Sequence, residues 1–141
     1  MITITMPGSI PYGLGGNARG NRYELGRIRK DWREAWFLRT RSVMAEFGIT
    51  EPFPEVSATV SGYFCRSLAR APEAVYMRST GQRPKDLDNL LGCMKSAIDG
   101  IVQAGLVPDD SAQYVTIAAP HLYAVPTFDE ERVEVLVEPL T

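Results

Sequence analysis

Polar and apolar residues alternate through "ITITM" (2–6), the period of a half-buried strand. The period then changes. Ile28, Trp32, Ala35, Trp36, Val43 and Phe47 recur at helical spacing and predict a helix from Arg27 to Phe47 with one apolar face. Gly48 suits a C-cap, and Pro52 and Pro54 prevent continuation. Alternation returns in "VSATVSGYFC" (56–65), whose β-branched and aromatic residues predict a second strand. Leu90, Leu91, Met94, Ala97, Ile98, Ile101 and Val102 form another helical stripe, predicting a helix from Asn89 to Ala104 closed by Gly105. After a turn at "LVPDDSAQ", "YVTIAAPHLYAV" (114–125) reads as one strand. "RVEVLVE" (132–138) reads as a closing strand with Val133, Val135 and Val137 on one face.

Two connections are not regular. "PGSIPYGLGGNARGN" (7–21) is rich in Gly, Pro and Asn, and no Lys-Ser or Lys-Thr pair follows its glycines, so it is not a Walker phosphate loop. Residues 66–85 hold Arg66, Arg70, Arg78, Arg83 and Lys85 against one acid, Glu73. A connection of that length is usually functional or disordered. The order β-α-β-α-β-β, without repeats or a linker, predicts one α/β domain of the α+β kind over residues 1–141. Its expected architecture is a mixed sheet packed by two main helices.

Composition narrows this picture only slightly. The chain is 45% hydrophobic and 23% charged, as expected of a globular protein rather than a disordered one. No apolar run reaches membrane-spanning length, and the N-terminus lacks a basic start followed by a long apolar stretch. Cys65 and Cys93 are the two cysteines and form no CxxC pair, which suits reduced thiols and a cytoplasmic location. One histidine, His121, falls on a predicted strand, where packing or surface placement is the ordinary role. With no Cys/His cluster, a zinc site is not expected.

Charge changes the picture more. The net charge is −2, yet 13 of 15 Lys and Arg lie in residues 1–85, and ten acids face two bases from residue 86 onward. Such asymmetry can set a basic surface around an acidic pocket, as a phosphodiester substrate and a metal would need; drift between two solvated halves produces it as well. On the first predicted helix, Lys30, Arg33 and Arg41 share a side, either a solvated face or one for a phosphate backbone.

The candidate chemistry lies in "RPKDLDNLLG" (83–92) and beyond. If Asp86-Leu87-Asp88 is extended, both carboxylates face one side while Leu87 faces the core. Two carboxylates held so close favour a cation between them, and Mg²⁺ takes oxygen ligands of this kind. Asp109 and Asp110 can supply a third carboxylate. At about 100° per residue, Asp88, Lys95 and Asp99 fall in one stripe beside the apolar face, so Lys95 can balance the acids or contact a phosphoryl oxygen. The plainer reading makes Asp88 a helix N-cap and "PDD" an ordinary turn.

"KDLDNLLGCMKSAIDGIVQAGLVPDDSAQ" (85–113) resembles the signature of the RusA-like Holliday-junction resolvases. There a basic residue precedes Asp-Leu-Asp-Asn-Leu, followed by a helix with Lys-x-Ala-(apolar)-Asp, then Ala-Gly and Asp-Asp ahead of a Gln. Two differences stand in this chain. Gly92 occupies the usual lysine position, with Lys95 one turn further on, and one extra residue separates the acids from Gln113. The resemblance implies a homodimeric, often phage- or prophage-encoded endonuclease that resolves four-way junctions in DNA recombination and repair. It implies Asp86, Asp88 and Asp110 (or Asp109) as carboxylates for one or two Mg²⁺ ions, with Mn²⁺ as a substitute, and Lys95 as the essential lysine. Arg27, Lys30, Arg33, Arg78, Arg83 and Lys85 are the expected DNA-backbone contacts. No membrane and no small-molecule cofactor is expected. The alternative is a branched-DNA-binding protein without cleavage activity.

Overall fold

The computed structural model describes residues 1–8, 10, 14, 21–65 and 87–140. Strand β1 (Ile2–Pro7) follows the predicted alternation, with Ile2, Ile4 and Met6 buried. Helix α1 (Arg22–Phe47) starts five residues before the position expected from its apolar stripe. Asn21 caps it, its side-chain oxygen accepting the Tyr23 N–H at 2.8 Å. The stripe read from Ile28 onward does not reach this first turn, where Arg22, Tyr23 and Glu24 are exposed and Leu25 is half-buried. The C-terminus is as predicted: Gly48 takes φ 67°, and the Ile49 N–H reaches the Met44 carbonyl at 2.8 Å. Trp32, Trp36, Thr40 and Met44 form the buried stripe, and the Thr40 hydroxyl donates to the Trp36 carbonyl at 2.7 Å. Phe47, expected on that stripe, is exposed where the helix ends.

Strand β2 (Val56–Cys65) keeps its predicted bounds, and helix α2 (Leu87–Ala104) begins two residues earlier than expected. Leu90, Cys93, Met94, Ala97, Ile98, Ile101 and Ala104 are buried along α2. The two helices cross at Gly100. A Cβ there would run into the Arg33 carbonyl oxygen and lie 2.9 Å from the Trp36 Cβ, so the missing side chain permits the close approach. The Trp32 indole donates across the same contact to the Cys93 carbonyl at 3.3 Å. From α1, Arg41 reaches the Ala104 carbonyl at 3.3 Å, placing positive charge at the C-terminus of α2, whose last turn has no basic residue.

The segment expected as one strand is two, β3 (Val115–Ile117) and β4 (His121–Val125), so the order is β-α-β-α-β-β-β rather than β-α-β-α-β-β. Both pair in parallel with β2, but Ser57 faces Thr116 while Ser61 faces His121, a register shift of one residue. The extra residue falls in Ala118-Ala119-Pro120, and Pro120 has no N–H to give to a ladder. A short 3₁₀ turn, Phe128–Glu130, leads into β5 (Arg132–Pro139), which lies antiparallel between β1 and β2. The mixed sheet therefore runs β1-β5-β2, with β3 and β4 sharing the far edge.

One sheet face is buried, through Ile4, Val60, Phe64, Val133, Val135 and neighbours in a core shared with both helices. The opposite face, including Thr59, Ser61, Tyr63 and Glu134, is half-exposed. Among the described residues, no helix is long and apolar enough to cross a membrane.

Candidate functional site

Lys95 and Asp99 stand one turn apart on α2, beside the buried Met94 and Ile98. The Lys95 Nζ lies 3.5 Å from Asp99 Oδ1. Gly105, at φ 94°, ends the helix, and buried Leu106 and Val107 hold the following turn against the core. This anchoring returns the chain along the helix, so that Asp110 Oδ2 accepts a hydrogen bond from Lys95 Nζ at 3.2 Å. Asp109 is engaged differently. Its Oδ1 accepts the backbone N–H of Asp110 at 2.8 Å and shapes the turn. Of the two adjacent acids, Asp110 is the one directed at Lys95. Met94, Lys95, Ile98, Asp110 and Ile117 line an open depression of about 210 Å³, with an apolar floor and charge on its rim.

The Lys95 ammonium beside Asp110 holds that carboxyl below its usual value, chiefly through the hydrogen bond and then through charge. Reciprocally, the hydrogen bond to Asp110, followed by the charge of Asp99, raises the Lys95 pKa. Both groups lie at the surface, so water screens the pair and its contribution to stability is small. Its significance is chemical: one cation is held against two carboxylates at the edge of a hollow.

The other predicted residues fare differently. Asp86, Arg78, Arg83 and Lys85 lie outside the described residues. The backbone of Asp88 is the second residue of α2, so the extended conformation expected across Leu87 and Asp88 is not formed. Strand alternation therefore does not set the direction of Asp88, and Asp88 is not the cap of this helix. At 1.5 Å per residue it stands about 10 Å along the axis from Lys95. Arg27 and Lys30 are exposed on α1, Lys30 pairing with Glu34 at 3.9 Å, and Arg33 is half-buried near the crossing at Gly100. Arg41 is directed to the end of α2 rather than standing free on the basic stripe.

Two features have no counterpart among the sequence expectations. Ile117 borders the depression because β3 stops at the sheet edge, which alternation within one strand does not reveal. Tyr63, Tyr123 and Arg132 form a row on the open face of the sheet, with His121 beside them. Alternation in β2 places Tyr63 opposite Phe64; its neighbours follow only from the register.

Comparison with known proteins gives no matching family model and no significant curated relative. The donor chemistry can still be tested against a metal. Asp99 and Asp110 are oxygen donors at an open rim, as a hard divalent ion requires. Among the described residues, no three His, Cys, Asp or Glu side chains form a metal-holding group. Asp99 and Asp110 by themselves do not make one.

Proposed function

We propose that this chain is a Mg²⁺-dependent, homodimeric endonuclease that cuts branched DNA, four-way junctions above all. The observation that carries the reading is the meeting of Lys95 with Asp110 across fifteen residues, at an open depression and within the stretch that resembles the resolvase signature. Asp86, Asp88 and Asp110 would hold the ion, and Asp109 would keep the turn that presents Asp110. Bound there, Mg²⁺ supplies an acidified water and stabilises charge on the phosphoryl oxygens. Lys95, retained by Asp99, would offset charge gathering on the scissile phosphate. Arg27, Lys30 and Arg33, with Arg78, Arg83 and Lys85, would contact the backbone and position the junction without reading its sequence. A two-fold dimer would present two equivalent sites to a roughly two-fold junction.

One observation favours a second reading, a branched-DNA binder that does not cut. Gly92 stands where the resemblance places the lysine, and Lys95 is already paired with both Asp99 and Asp110. Purified protein incubated with a synthetic four-way junction and Mg²⁺ separates the two. Paired symmetric nicks that vanish in Asp88→Asn and Asp110→Asn support the nuclease. Tight, salt-dependent binding with no nicks under Mg²⁺ or Mn²⁺ supports the binder. No binding to branched or duplex DNA at low salt refutes both.

A further inference from the structure

Lys95 has two carboxylates within reach, and one of them is claimed by the proposed ion. Its Nζ lies 3.2 Å from Asp110 Oδ2 and 3.5 Å from Asp99 Oδ1. Among the described residues these are its two ion pairs. The Lys95 side chain is 73% exposed, so packing does not hold its head group in place.

The two partners are held differently. Asp110 follows the turn after α2, and its carboxylate is the one that Mg²⁺ would take. Asp99 stands on α2 itself, one turn beyond Lys95, so the helix backbone fixes the spacing of the pair. The Asp99 side chain is also the less exposed of the two, at 33%.

Helix stability does not account for this pair. At four-residue spacing an acid supports a helix best when it precedes the base, and here it follows. An exposed pair in that order adds little.

Charge decides what loading does to Lys95. An ion on Asp110 sets like charge beside an ammonium already in contact with that carboxylate, and the two repel. Lys95 then needs a carboxylate that the ion does not use if it is to stay at the rim.

We propose that Asp99 is a positioning residue: it takes over the Lys95 ammonium when Asp110 is given to the ion, and keeps it directed at the scissile phosphate. The proposal rests on the nuclease reading above, but the hand-over can be measured without any DNA.

Asp110→Asn removes the Asp110 charge, as a bound ion would neutralise it, and keeps the side chain's shape. The NMR signal of the Lys95 ammonium reports its order in wild type, in Asp110→Asn and in the double variant Asp99→Asn, Asp110→Asn. The ammonium should stay ordered in Asp110→Asn and become mobile in the double variant. Equal mobility in both overturns the proposal. Calorimetry gives a second readout: Asp99→Asn weakening Mg²⁺ binding as much as Asp110→Asn also overturns it, because Asp99 would then be an ion ligand. On a four-way junction, Asp99→Asn should lower kcat by about 10- to 100-fold with KM unchanged, and Asp99→Glu should restore most of the rate. The two readings fail separately. If the ammonium depends on Asp99 but no junction is ever cut, the nuclease reading falls alone. If junctions are cut and Asp99→Asn cuts at the wild-type rate, the positioning role falls alone.

Discussion

Two glycines in helices give opposite expectations for the same substitution. Gly→Ala inside a helix normally stabilises by about 1 kcal/mol, since alanine loses less freedom and exposes less backbone. Gly26 in α1 has nothing within 4 Å of an added Cβ, so Gly26→Ala should gain up to about 1 kcal/mol. At Gly100 the same Cβ would collide with the Arg33 carbonyl and come within 2.9 Å of Trp36 Cβ and 3.0 Å of the Phe37 nitrogen. Two of these three atoms are α1 backbone, and Trp36 is fully buried, so relief requires the helices to part. Overpacking of this kind costs roughly 1–3 kcal/mol. After the helix-propensity gain, a net loss of about 1–2 kcal/mol remains at the upper end of that range. For a chain of this length that lowers Tm by roughly 3–10 °C. Urea unfolding of wild type and both variants, with midpoints compared at equal slopes, measures the difference. A Gly100→Ala protein as stable as wild type, beside a stabilised Gly26→Ala, would refute the close crossing. The consequence reaches the site, because the crossing places α2 and with it Lys95.

Trp36 and Trp32 offer a second comparison. The Trp36 indole N–H is buried without a hydrogen-bond partner among the described residues, whereas that of Trp32 donates to Cys93. Trp36→Phe should therefore cost less than Trp32→Phe by about 1 kcal/mol in urea unfolding, with the reverse order contradicting the assignment. A third prediction concerns protonation. Asp110, depressed by Lys95, contributes to stability above its unfolded carboxyl pKa, and loses that contribution as pH falls through its lower folded value. Its carboxyl carbon, followed by NMR, should titrate below the usual aspartate range in wild type and return toward it in Lys95→Met. An unchanged midpoint would show that the pair does not form in solution.

Where a feature depends on neighbours close in the chain, it can be read directly. Gly48 ends α1 as expected because a C-cap needs only one residue able to take positive φ. Asn21 is an equally local cap, but the apolar stripe does not point to it, because Arg22, Tyr23 and Glu24 at the start of α1 are exposed. The acid cluster is half legible: helical spacing puts Lys95 beside Asp99, since four residues make a turn. Which of Asp109 and Asp110 meets Lys95 is not, because it depends on how Leu106 and Val107 seat the turn in the core.

By itself, the sequence determined the kinds of elements, both ends of β2, the C-terminal ends of the two helices, and the inward sides of β1, β2 and β5. Periods of two and near 3.6 follow from backbone geometry alone, so Val133, Val135 and Val137 had to share a face. The tertiary structure decided what remote segments do to one another. It broke the 114–125 strand, because β2 offers a register that Pro120 cannot follow without one extra residue. It closed the helices at Gly100, aimed Asp110 rather than Asp109 at Lys95, and aligned Arg132, Tyr63 and Tyr123 from three strands. Such meetings depend on packing between residues far apart in the chain, and no local period encodes them.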